Sequence, residues 1–357
     1  MTKYLQIHTS VALRLSAMLM LLVAAGCGGG DASVPKPLVP LAAPASQPAA
    51  LLPATQPAPQ ARTFVLRYVA TIKDLPASAE RLDLWLPIPP SNGSQIVTDI
   101  SIDAPFPHEI VTESVYGGQV AHLWSKKPIP TTITLTFRAT RRPGRALPDP
   151  EEISTPRTGL ESPADRYLQP DRLGIIDDRI KALADQITAG RTDAVSKSRA
   201  IYDYVIAHMA YDKTTPGWGR GDTARACEVG KGNCTDFHAL FISLARAQHI
   251  PARFEIGFQL PTDKRSGKIE GYHCWSEFWS PDLGWIPVDC SEAWKHSAMK
   301  EFYFGGLDPD RIAISLGRDL TLPGMHGEPV NYLLNPYAEV DGKIFSGVEK
   351  TVTFEEK

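Results

Sequence analysis

Residues 231–251, "KGNCTDFHALFISLARAQHIP", constrain this chain more than any other stretch. Phe237, Leu240, Phe241 and Leu244 recur at the i, i+3, i+4, i+7 spacing of one helix face, so the run predicts an amphipathic helix that Pro251 stops at Ile250. Asn233 suits the N-cap and Asp236 falls at N3, close to a capping box. Cys234 then sits in the first turn, where unpaired backbone N–H groups and the positive end of the helix dipole favour a thiolate and can receive an oxyanion. The position suits a nucleophile; a buried structural cysteine at a helix start has the same local signature.

Beyond the helix the period changes from helical to alternating. "ARFEIGFQL" from Ala252 reads as a strand, and "YHCWSEFW" and "GWIPVDCS" flank the turn "SPDLG" as a hairpin. With Trp279 facing Trp285, Cys274 falls opposite Cys290, and His273 shares a face with Asp289 one diagonal step away, within hydrogen-bond reach. A cysteine nucleophile needs a base that takes its proton and returns it to the leaving group, and an acid that fixes the base's tautomer. Cys234, His273 and Asp289 supply those three groups.

These stretches resemble the transglutaminase-like superfamily, related to papain by circular permutation, over about Ala194 to Ser291. The family pattern is Gly-x-Cys at a helix start, a helix ending in Gly-Ile-Pro-Ala-Arg, then His-Ala-Trp and Trp-x-x-x-Asp on adjacent strands. "GNCTDFHALFISLARAQHIPARF", "YHCWSEFW" and "GWIPVDCS" follow it. The resemblance implies Cys234 as nucleophile, His273 as general base and acid, and Asp289 as the residue orienting it. Cys274 stands where the family usually has Ala, and His249 replaces the Gly before Ile-Pro. Cys274 and Cys290 are expected to point away from the catalytic face, as a cross-strand disulfide or as two buried thiols. Cys227 reads as a buried or incidental thiol. The family's second oxyanion donor lies upstream of the cysteine, with Tyr211 and Trp218 as candidates.

Upstream of this region, "FVLRYVATI", "RLDLWLPIP", "QIVTDISI", "QVAHLW" and "TTITLTFRAT" predict at least five short strands of a β-sandwich-like domain over 63–142, in which His108 and His122 are ordinary histidines. Arg141 to Asp171 reads as a linker or a loop over the surface. In "DAVSKSRAIYDYVIAHMAYD", Ile201, Tyr204, Val205 and Met209 share a helix face, with Asp193 as cap. Residues 143–357 are expected to form the catalytic domain, with strands near its C-terminus. The fold class is α+β: a helix-borne cysteine packed on an antiparallel sheet, preceded by the sandwich.

The first 26 residues carry Lys3 and Arg14 but no acid, then "LSAMLMLLVAAG", a run too short to span a membrane and laid out as a secretory signal. Ala24, Ala25 and Gly26 before Cys27 resemble a lipobox, with Ala24 where Leu is usual; plain signal cleavage nearby is the alternative. Residues 27–62, rich in Pro and Ala, predict an extended tether. The expected protein is exported and lipid-anchored at the cell envelope through Cys27. A net charge of −3 gives no basic field for nucleic acid. There is no CxxC or HExxH, so neither metal nor cofactor is expected.

The expected function is attack on amide bonds of a peptide or protein through a thioester, resolved by water or by an amine. The alternative is a non-catalytic envelope binding or scaffold protein that keeps the fold.

Overall fold

A computed structural model describes residues 60–144, 147 and 165–357. The expected signal peptide, Cys27 and nearly all of the tether lie outside the described residues, as does most of the expected linker between Arg141 and Asp171.

Six strands come first: β1 (Arg62–Ile72), β2 (Arg81–Pro87), β3 (Gln95–Asp103), β4 (His108–Thr112), β5 (Gln119–Lys126) and β6 (Thr131–Arg141). Alternation predicts five of them; β4 is exposed except at Val111, and its adjacent apolar residues Ile110 and Val111 give no alternation. The middle of the chain holds α1 (Asp178–Ile187), α2 (Ala194–His208), β7 (Ala210–Tyr211), α3 (Thr223–Val229), β8 (Lys231–Gly232) and α4 (Cys234–Ala247). Then come β9 (Ala252–Gln259), β10 (Ser266–Lys268), β11 (His273–Ser280), β12 (Gly284–Val288) and α5 (Cys290–Lys295). The C-terminal part adds β13 (Arg311–Leu316), β14 (Tyr337–Val340), β15 (Lys343–Ile344) and β16 (Val348–Glu356).

Two five-stranded sheets, ordered β10-β16-β1-β6-β3 and β15-β14-β2-β5-β4, hold the first and last strands of the described chain. β16 lies antiparallel to β1, with Leu66 opposite Phe354, and β14 lies antiparallel to β2. Both termini of the described region therefore share sheets across the 142/143 boundary. A third sheet, β12-β11-β9-β13, is antiparallel throughout and carries α4 against β11 and β9. Inward residues from the three sheets, including Leu66, Leu84 and Ile256, join α4 in one apolar core.

Helix α4 is more enclosed than its amphipathic pattern predicts, since every residue from Cys234 to Arg246 is buried. A helix buried all round must satisfy its polar side chains internally. Asp236 accepts from the backbone N–H groups of Gly219, Gly221 and Asn233. Ser243 bonds Thr223, and Arg246 donates to Ala252 O, Gln169 O and Asp171. The helix stops one turn before Pro251: Gln248 is the C-cap, and His249 follows with φ +56°. In α2 the expected cap forms, Asp193 accepting from Ser196 N, but Tyr202 is fully buried where Tyr204 is only partly so.

Candidate active site

The short parallel pair β7–β8 delivers the chain to Asn233, bonding Asp212 N to Gly232 O at 2.8 Å. Gly232 is needed for this approach, because a Cβ there would lie 2.3 Å from Asp236 Oδ2. Asn233 caps α4 by accepting from Thr235 N at 3.0 Å, and Asp236 returns the bond to Asn233 N, completing the capping box. Cys234 is thereby fixed at N1, where its own N–H has no acceptor within the helix.

The hairpin has the expected register, Trp279 opposite Trp285, but its ladder ends at Ser276–Val288. Asp289 is the N-cap of α5, so Cys290 is a helix residue and not a cross-strand partner of Cys274. All four described cysteines are free thiols. Contrary to expectation, Cys274 faces the nucleophile's helix: its Sγ lies 3.8 Å from Thr235 Oγ1 and 3.6 Å from His238 Nδ1.

The three candidate residues meet at one buried point. His273 Nε2 bonds Asp289 Oδ2 at 2.6 Å, which leaves Nδ1 as the nitrogen available to the thiol. Burial pushes the imidazole down, but the Asp289 charge and hydrogen bond and the adjacent Cys234 prevail, raising it to about 9. The Cys234 thiol shifts the other way. Burial opposes its ionisation, yet hydrogen bonds from Cys274 and His273 and the His273 charge hold it well below the usual thiol range. A thiolate–imidazolium pair is the state these shifts favour.

Asp289 is itself held from four directions. Oδ1 accepts from Glu292 N at 2.9 Å and Ser291 Oγ at 3.0 Å, while Oδ2 takes Arg311 Nη1 at 2.7 Å beside His273. Despite complete burial, the His273 charge, hydrogen bonds from His238 and His273 and the Arg311 charge keep the carboxyl far below its ordinary value. His238, one helical turn beyond Cys234, accepts Cys290 N–H on Nε2 at 3.1 Å. The same Nε2 lies 3.5 Å from Asp289 Oδ1, and Nδ1 faces Cys274 Sγ at 3.6 Å.

Residues 181–290 match the profile of the Transglutaminase-like superfamily, an interval that contains all three candidate residues. This stretch is similar to a transglutaminase-like core. An uncharacterized protein of Haemophilus influenzae is 26% identical over 303 residues, spanning 74% of this chain and 82% of its own length. A crystal structure of a candidate cysteine protease from Cytophaga hutchinsonii shares the fold, with TM-score 0.51 and 18% identity over 83% of this chain and 98% of that one.

Several residues around the transglutaminase-like core's cysteine have only a faint sequence signal. His238 is four residues after Cys234 and therefore on its face of the helix, a spacing that apolar counting passes over. Arg311 lies beyond the matched interval. Tyr272 OH takes Asn233 Nδ2 at 2.7 Å and lies 3.1 Å from Thr235 Oγ1, so this phenol brackets Cys234. Of the expected oxyanion donors, Tyr211 sits on β7 against Phe237, while Trp218 is 37% exposed in the loop that wraps Asp236. Burial, then the neighbouring Cys234 charge, pushes the Tyr211 and Tyr272 phenols up, so both remain neutral donors. His122 is remote from this site, bonded to Asp83 at 2.9 Å and stacked on Trp85.

Proposed function

We propose that this protein is a cysteine enzyme that opens amide bonds of peptides or proteins through a thioester, with Cys234 as nucleophile, His273 as general base and acid, and Asp289 as the orienting group. The observation carrying this reading is the buried 2.6 Å His273–Asp289 bond beside a thiol at a helix start. The Cys234 sulfur attacks the carbonyl carbon, and negative charge develops on the carbonyl oxygen near the Cys234 N–H. Collapse breaks the C–N bond as His273 gives its proton to the departing amine. Water or a second amine then attacks the thioester, passing a proton to His273 as the C–S bond breaks. Water gives hydrolysis, and a lysine-type amine gives transglutamination.

Incubation with glutamine-containing peptides, with and without a primary amine, followed by mass spectrometry tests both branches. A mass gain equal to the amine marks transfer; cleavage or deamidation marks hydrolysis. Intact peptides in both mixtures, together with equal iodoacetamide labelling of all thiols, would return the protein to the scaffold reading.

The same proposal places the protein at the cell envelope, lipid-anchored by Cys27, on the strength of Lys3, Arg14, the apolar run and the small residues before Cys27. Among the described residues, no helix is long and apolar enough to cross a membrane. A diacylated or triacylated N-terminal Cys27 in membrane-fraction protein is the expected mass; a soluble product starting elsewhere would defeat the anchor.

A further inference from the structure

Beside the start of α4 lies a cleft of about 210 Å³ bordered by Tyr272, Tyr332, Asn335 and Lys350. Its link to the reacting centre is direct: Tyr272 OH bonds the residues on either side of Cys234, and Tyr332 OH reaches Gly219 O, in the loop that Asp236 holds. Lys350 comes from β16, a strand paired with β1. Its Nζ lies over the Phe258 ring at 5.2 Å, and its nearest acceptor is Leu334 O at 3.5 Å. Lys268 and Glu270 also border the cleft, but they neutralise each other at 3.3 Å. Among the described residues Lys350 has no carboxylate partner, and burial alone pushes it down to about 8. A half-buried ammonium without a counter-ion is costly unless something else neutralises it.

We propose that this cleft is a substrate subsite and that Lys350 selects an amide substrate bearing a carboxylate side chain near the bond to be opened. This rests on the reading of Cys234 as the nucleophile and adds the charge class of the substrate. One unpaired ammonium, with the Asn335 amide on the same cleft wall, matches a singly charged carboxylate. A doubly charged phosphate would exceed that complement. The sheet that holds β1 and β16 thus contributes a specificity residue to a centre whose reacting groups come from α4, β11 and the start of α5.

The test uses C-terminally amidated peptides with an N-terminal chloroacetyl group, followed by zero, one or two alanines and then Glu or Gln. The rate of Cys234 alkylation is read by mass spectrometry. At least one Glu probe should label several-fold faster than its Gln counterpart. Lys350→Met should abolish that preference, Lys350→Arg should retain it, and Lys350→Glu should transfer it to a probe ending in Lys. A wild-type Glu/Gln ratio near one for the whole series, or a preference that survives in Lys350→Met, overturns the subsite. Iodoacetamide labelling that does not depend on His273 would instead sink the nucleophile reading beneath it, so the two failures are separable.

Discussion

Arg311 donates Nη1 to Asp289 Oδ2 at 2.7 Å, with both side chains fully buried. The same guanidinium bonds Asp308 and lies over the Trp275 ring at 5.2 Å. Asp289 therefore carries its charge in the interior even when His273 is neutral. Removing one member of a buried pair leaves an uncompensated charge and costs about 3–5 kcal/mol. Arg311→Met should lower stability by that order in urea unfolding and slow iodoacetamide labelling of Cys234, because Asp289 no longer holds its position behind the imidazole. A variant as stable and as reactive as wild type would mean that Asp289 needs no second partner.

The opposed shifts of Cys234 and His273 set a pH dependence. His273 is raised from 6.5 to about 9, so its contribution is fully present below about 6.5 and is lost as pH climbs through about 9. Cys234 is lowered, so its thiolate contribution is present above the ordinary thiol value and is lost as pH falls through the depressed one. Labelling of Cys234 should stay fast well below pH 8, while Cys227, which burial pushes up, reacts only at higher pH. In His273→Ala the Cys234 profile should move to higher pH, and its stability deficit against wild type should shrink between pH 6.5 and pH 10. Coincident profiles for Cys227 and Cys234 would show that the imidazole does not support a thiolate.

Cys274 departs from the family's usual alanine and lies against the nucleophile. Burial and then the Cys234 charge push its thiol well up, so it keeps its proton and can donate to the Cys234 sulfur. Cys274→Ala removes that donor. The substitution should slow Cys234 labelling at pH 6 several-fold while costing only about 1 kcal/mol of stability, since a small apolar residue suits the site. An unchanged rate at pH 6 would reduce Cys274 to packing.

What was legible in the sequence was what is local. The helix start at Asn233–Asp236 and the Trp279–Trp285 register both follow from residues within a few positions of each other, and both are as expected. Asp289 is the instructive mixture. Alternation places it on the right face, yet the strand ends at Val288 and the residue caps a helix, which a period-2 pattern running on to Cys290 conceals. The orientation of Cys274 was hidden because alternation separates the two faces of β11 without saying which one packs on α4. Arg311 and β16 reach their partners through chain folding over 22 residues and over almost the whole described chain, and no short-range period carries that information.

His249 offers a test of how a family glycine is replaced. Ile250 N bonds Ala245 O and His249 N bonds Arg246 O, both at 3.0 Å, the paired bonds of a Schellman motif at the end of α4. That motif puts its C′ residue in the left-handed region, and His249 takes φ +56° with its side chain exposed. A Cβ there costs roughly 1 kcal/mol relative to glycine. His249→Gly should therefore stabilise the protein by about that amount and raise Tm by about 1–2 °C, since the shift per kcal/mol falls as the chain lengthens. The added backbone freedom of glycine in the unfolded chain acts against this gain, so the measured sign decides which of the two effects is larger. A lowered Tm would mean that unfolded-state entropy, and not native-state strain, governs this position.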